Sequence, residues 1–154
     1  MARVVSEQTM DVRVEFNHFC MQESDEDFVP VPYPDGEESP GSFLTTYEGR
    51  IDVASGGHTH VAVLTARVWD EEPAADSADS WEAQGQAELF SETGELSFIV
   101  AGGPQLTTLD LGAAARRWAV RVRSAGRQEV ALLAREGVAH GVERYLMDFW
   151  PVDE

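Results

Sequence analysis

The chain has 154 residues, with twenty-eight acids against eleven bases and a formal net charge of −17. Such a field favours a cationic partner or ion and disfavours nucleic acid and anionic membrane surfaces. Cys20 is the single cysteine and lysine is absent, which excludes an intrachain disulfide, a cysteine zinc cluster, and Schiff-base or P-loop lysine chemistry.

At 43% hydrophobic the chain can build an ordinary core, and its length suits a single domain over 1–154. No apolar run approaches the roughly 20 residues of a membrane span. The first eight residues carry no apolar stretch of a secretory signal, so a cytoplasmic protein is expected. All eleven bases are arginine, Asn17 is the one asparagine, and Ile51 and Ile99 are the two isoleucines. These are the residues with AT-rich codons, so a GC-rich genome accounts for their scarcity. Codon bias does not explain where the arginines fall. Residues 1–110 hold four Arg and twenty-two acids (−18), while 111–154 hold seven Arg and six acids (+1).

Period-two alternation dominates in chain order. Met10, Val12, Val14 and Phe16 alternate with Asp11, Arg13 and Glu15, predicting a strand with one wet face. Residues 25–42 hold Pro30, Pro32, Pro34 and Pro40 among acids, predicting a long solvated loop. Gly49–Ala54 and Thr59–Trp69 flank Ser55-Gly56-Gly57-His58, which predicts a β-hairpin. A second acidic loop spans Asp70–Ser80. Strands follow at Trp81–Phe90, Leu96–Ala101 and Gln105–Leu111, with turns at Glu92-Thr93-Gly94 and Gly102-Gly103-Pro104. Trp118, Val120 and Val122 alternate with Arg117, Arg121 and Arg123, and Ala125-Gly126-Arg127 turns the chain. Gln128–Arg135 reads equally as a short helix or a strand, and Val142–Trp150 is a last strand stopped by Pro151. Eight or so short strands predict an all-β fold: a single antiparallel β-sandwich, or a flattened barrel, with long acidic loops.

His58-Thr59-His60 is the metal candidate, because residues i and i+2 of a strand share a face and two imidazoles could converge on a divalent ion. A cupin has a similar His-x-His after glycines, but the Glu expected three or four residues later is missing from Val61–Thr65. The alternative leaves His58 in the turn and His60 at the strand start, both exposed. A calcium site in the acidic loops is a further alternative, although Pro30 and Gly36 break an EF-hand pattern begun at Asp25. His18 and Cys20 could share a face, yet a lone cysteine behaves more often as a small buried hydrophobe. Trp69, Trp81, Trp118 and Trp150 are expected mainly in the core. Arg117, Arg121, Arg123 and Arg127 are expected to pair with neighbouring acidic strands.

Trp118-Ala-Val-Arg-Val-Arg-Ser-Ala-Gly-Arg127, followed by Glu143-Arg-Tyr-Leu-Met-Asp-Phe-Trp-Pro151, resembles a group of small bacterial β-sandwich proteins. That group is similar in outline to the competence-associated ComJ nuclease inhibitors. The likeness lies in strand-and-turn pattern and carries no site residue. It implies a sandwich that binds and silences a nuclease. The electrostatics agree independently, since an acidic surface can occupy a nuclease's basic cleft. The expected function is therefore a non-enzymatic inhibitor or immunity-type protein without a cofactor, engaging a basic protein such as a nuclease or toxin. Its expected contact residues are Glu23, Asp25, Glu26, Asp27, Asp35, Glu37 and Glu38 in one loop, and Asp70, Glu71, Glu72, Asp76 and Asp79 in the other. The competing expectations are a metal-dependent enzyme or sensor at His58 and His60, a calcium-binding module, and an acidity that serves only salt adaptation.

Overall fold

The computed structural model describes residues 2–25, 37–38 (backbone), 43–74, 81–100 and 102–152. The chain runs through β1 (Val4–Val14), β2 (His18–Glu23), β3 (Glu37–Glu38), β4 (Leu44–Tyr47), β5 (Arg50–Ala54) and β6 (His60–Trp69). It continues through β7 (Ala83–Ser91), β8 (Glu95–Val100), β9 (Gly103–Asp110), β10 (Arg116–Ala125), α1 (Arg127–Leu133) and β11 (Ala139–Pro151). One sheet has the order β1-β6-β11-β10-β7 and the other β3-β4-β5-β2-β8-β9.

The alternating apolar residues of both sheets meet between the layers. Val12, Val14, Leu64, Val120, Val122, Met147 and Phe149 face Phe19, Met21, Ile51, Val53, Leu96 and Phe98. Burying each of these side chains contributes roughly 1.5–3 kcal/mol. The all-β expectation holds, with three corrections. Among the described residues the two sheets hold five and six strands rather than about eight in all, and they do not close into a barrel. The sandwich is not wholly antiparallel, because β11 lies parallel to β6 while pairing antiparallel with β10. Finally, β5 and β6 form no hairpin: they belong to different sheets, and residues 55–58 cross from one to the other.

The glycines that suggested a hairpin turn are there for space. Neither Gly56 nor Gly57 has a positive φ. A Cβ on Gly56 would come within 2.8 Å of Arg127, including its backbone oxygen, and one on Gly57 would meet the His60 ring at 2.8 Å and Val130 at 3.1 Å. The left-handed residues lie instead at Phe16 (φ 57) and Asn17 (φ 62), which make the two-residue turn between β1 and β2. Phe16, expected inside, is consequently 67% exposed. A bulky side chain in that region costs roughly 1–2 kcal/mol. The turn is held nonetheless, because the Asn17 N–H donates to the His58 carbonyl (2.8 Å) and the Asn17 carbonyl accepts from the Ser55 N–H (2.8 Å).

Edge strands β1 and β9 are bridged by glutamines. Gln105 accepts from the Arg13 N–H (2.7 Å) and donates to the Arg13 carbonyl (2.9 Å), and Gln8 accepts from the Asp110 N–H (2.9 Å). A carboxamide thus stands in for a strand neighbour, which blunts an exposed edge. The eight-residue ambiguity after Gly126 resolves as a helix. Gly126 turns the chain at φ 78, and the Glu82 carboxylate accepts the N–H groups of Gly126, Arg127 and Gln128.

The tryptophans also depart from expectation, for Trp118 alone of the four joins the core cluster. Trp69 and Trp150 point from the opposite face of their sheet, where arginines stack on them: Arg67 on Trp69 (5.3 Å) and Arg121 on Trp150 (5.1 Å). Arg123 likewise lies 5.5 Å from the Trp81 ring. At the centre of this layer the buried Asp148 carboxylate accepts from Arg67 Nε (2.8 Å), Arg123 Nη2 (2.7 Å) and Trp69 Nε1 (2.9 Å). The cross-strand pairing expected of the β10 arginines is realised at Arg123, whereas Arg121 meets Glu72 beyond the end of β6 at 3.7 Å and Arg117 meets Glu48 in the β4–β5 turn at 3.5 Å.

Candidate functional site

The strand directions sort the charges along the long axis of the sandwich. The turn at 15–18, the crossover at 55–59 and α1 lie at one end. The turns at 47–50, 70–72, 92–95 and 110–116 lie at the other. Among the described residues, that second end gathers nine acids (Glu23, Asp25, Glu48, Asp70, Glu71, Glu72, Glu92, Glu95, Asp110) against four bases (Arg3, Arg50, Arg116, Arg117). Among the described residues, the crossover end has five acids (Glu15, Glu82, Glu129, Glu136, Glu143) against four bases (Arg13, Arg127, Arg135, Arg144). Residues far apart in sequence therefore build one acidic end.

Of the expected contact residues, Asp70, Glu71 and Glu72 are exposed there and Asp25 is half-buried. Asp70 is held where β1 begins, accepting from the Arg3 N–H at 2.8 Å. Glu37 and Glu38 form β3 at the edge of the six-stranded sheet. Glu26, Asp27, Asp35, Asp76 and Asp79 lie outside the described residues. Glu23 differs from the rest because it is fully buried. Its carboxylate accepts from Ser91 Oγ (2.6 Å), the Asp25 N–H (2.6 Å), and Thr93 through its N–H (3.1 Å) and Oγ1 (2.9 Å). Burial alone would raise its pKa, but these donors outweigh it and hold the carboxyl below the usual range. Glu23 shapes the acidic end without presenting charge to solvent. Sequence missed Glu48, Glu92, Glu95 and Asp110, since their convergence depends on strand direction.

The two imidazoles have different surroundings. His58 is exposed in the crossover, where Nδ1 meets Thr59 Oγ1 at 2.8 Å and the ring lies edge-on to Phe16 at 5.1 Å. His60 is fully buried at the start of β6. Among the described residues no group of three or more His, Cys, Asp or Glu is placed to hold a metal ion. His18 pairs with Asp52 at 3.3 Å. Cys20 is buried, and desolvation pushes its thiol up to about 11, so the thiolate that a nucleophile needs is disfavoured.

Behind the crossover lies a buried polar lock that the sequence did not announce. Ser55 Oγ donates to Glu143 Oε1 (2.6 Å) and accepts from the Gly57 N–H (3.2 Å), while His60 Nε2 lies 2.8 Å from the same hydroxyl. Glu143 Oε2 accepts from the Gly56 N–H (2.8 Å) and faces Arg127 Nη1 at 3.6 Å. Serine, histidine and acid are the residue types of a hydrolytic triad, but the wiring differs. A nucleophilic serine passes its proton to histidine, whereas this one donates to the carboxylate, and Ser55, His60 and Glu143 are all buried. The arrangement fastens the crossover to β11 and α1.

Burial pushes the His60 imidazole below its ordinary value, against the pull of the Glu143 carboxylate. In the unfolded chain it takes up a proton near pH 6.5, while the native ring stays neutral to lower pH. The unfolded state then binds more protons, so stability falls as pH drops below about 6.5. Urea midpoints at pH 7.5, 6.5 and 5.5 should show this decline in the native protein and a smaller one in His60→Gln. Equal declines in both proteins would remove His60 as the cause.

No protein-family model matches the chain, and no curated protein matches it in sequence. Among solved structures, it is similar to ComJ from Bacillus subtilis, described as an inhibitor of the DNA-degrading activity of NucA. That match has 13% identity, a TM-score of 0.62 and coverage of 99% of each chain. It is also similar to the protein described as crocagin biosynthetic gene J, with 9% identity, a TM-score of 0.60, and coverage of 97% of this chain and 100% of the other. The likeness to ComJ read from residues 118–151 therefore holds for the architecture of essentially the whole chain.

Proposed function

We propose that this protein is an inhibitor that binds a basic protein partner, a nuclease in the first instance, through its acidic end. The observation that carries this reading is the full-length match to a protein described as a nuclease inhibitor. A fold by itself does not set function, and the charge distribution supplies the second support. Eight acids besides the buried Glu23, against four bases among the described residues at one end of the sandwich, form a surface suited to a cleft built for phosphates. Asp70, Glu71 and Glu72 would steer association together with Glu48, Glu92, Glu95 and Asp110. Asp25, Glu26, Asp27, Asp35, Glu37, Glu38, Asp76 and Asp79 complete the proposed contact set. Glu23 acts from beneath by fixing the β7–β8 turn.

The test is inhibition and binding of a basic bacterial nuclease across a salt series. Electrostatic steering predicts affinity at least about tenfold weaker at 500 mM than at 50 mM sodium chloride. Combined Asp70→Asn, Glu71→Gln and Glu72→Gln changes should slow association more than they speed dissociation. Salt-independent binding, or no nuclease inhibition at any salt, would overturn the reading.

A further inference from the structure

We propose that the crossover end, opposite the acidic one, is a self-association surface that takes a second copy of this chain. Four of the large apolar side chains left exposed lie on elements that meet at residues 55–59: Phe16, Leu132, Leu133 and Val138. The Phe16 ring rests against His58, Gly57 packs on Val130 of α1, and Ala139, next to Val138, pairs with His60. Apolar side chains gathered at one end of a sandwich mark a contact surface more strongly than the same residues scattered singly. Phe16 adds a second observation. It holds a left-handed conformation at a turn position that asparagine or glycine would fill without strain, and the side chain kept there is an exposed aromatic ring. Strained residues of this kind concentrate at functional surfaces.

Charge selects the occupant. Two copies of a chain carrying −17 repel each other across most of their surfaces. Among the described residues the crossover end, with four arginines against four glutamates besides the buried Glu143, is close to neutral. It lets two copies approach while their acidic ends point apart. A standard interface takes about 800 Å² from each partner. That is close to a tenth of the 8152 Å² surface. A two-fold pairing would use the same patch on both copies and leave two acidic ends free at opposite extremes. This inference stands apart from the inhibitor reading, because it needs no nuclease.

Sedimentation velocity of the full chain, from about 10 to 500 µM, tests it in 50 and 500 mM sodium chloride. The expected result is a dimer whose fraction rises with concentration and whose formation is stronger at high salt, where repulsion is screened. That dependence is opposite in sign to the one expected for a basic partner. Leu132→Asp and Phe16→Asp should each weaken the dimer by about tenfold or more, whereas Thr108→Asp, the same charge placed on β9, should leave it within about twofold. Phe16→Asn separates contact from folding, since it should weaken the dimer while holding or raising the melting temperature. A monomer at every concentration in both salts overturns the proposal, as does a dimer indifferent to both Leu132→Asp and Phe16→Asp.

Discussion

Replacing Glu143 with alanine should destabilise the fold by about 3–5 kcal/mol, the range found when one partner of a buried ionic network is removed. The carboxylate accepts from the Ser55 hydroxyl and the Gly56 N–H, and it faces the Arg127 guanidinium. Alanine leaves buried donors without their acceptor and opens a cavity between the crossover and β11. Glu143→Gln keeps one acceptor oxygen and should cost clearly less. Urea denaturation gives both values. Hydrogen exchange adds a local readout, because amides of α1 should exchange faster in Glu143→Ala once Arg127 loses its carboxylate. A loss below about 1 kcal/mol would mean that the lock does not hold the crossover.

Asp148→Ala is expected to have an effect of the same order, about 3–5 kcal/mol, for a related reason. Arg67, Arg123 and Trp69 all donate to this buried carboxylate, and the Arg123 side chain is only 3% exposed. Arg67→Ala should cost less, since that side chain is 25% exposed and its charge can reach water. The double change Arg123→Met with Asp148→Leu should be milder than Asp148→Ala alone, because removing both charges leaves neither desolvated without its counter-ion. Equilibrium denaturation of the set decides the matter. Additive losses would show that the layer is a collection of independent contacts.

Period-two alternation was enough to find most of the strands, because facing in or out repeats every second residue whatever the sheet order. It missed β2, where residues 19–23 are all buried, and the short β3 and β4, the former inside the expected 25–42 loop. The same alternation misplaced Phe16, since it cannot say where a strand stops and its turn begins. The Gly-Gly pair misled for a related reason. A glycine needed for φ and a glycine needed for space look identical in sequence, and Gly56 and Gly57 are of the second kind. For the tryptophans, alternation assigned them to one face of their strands. It could not reveal that arginines and Asp148 would make the other face of the five-stranded sheet a packed layer as well.

The candidate site was legible as an excess of acids and not as a surface. The sequence located two base-free stretches, and Asp70, Glu71 and Glu72 do lie exposed at the acidic end. Glu23 looked equivalent to its neighbours until its burial against Ser91 and Thr93 was visible. His58 and His60, two residues apart, likewise divide into one exposed and one buried ring.

What the sequence determined by itself was therefore what short-range rules govern: an all-β chain, most strand positions, the absence of lysine and disulfide chemistry, and a negative charge concentrated before residue 111. Tertiary structure decided the parallel pairing of β6 with β11, the lock between Ser55 and Glu143, and the division into an acidic and a near-neutral apolar end. The Ser55–Glu143 lock alone joins residues 88 positions apart. Strand order and direction place such residues side by side, and neither is encoded in any local period.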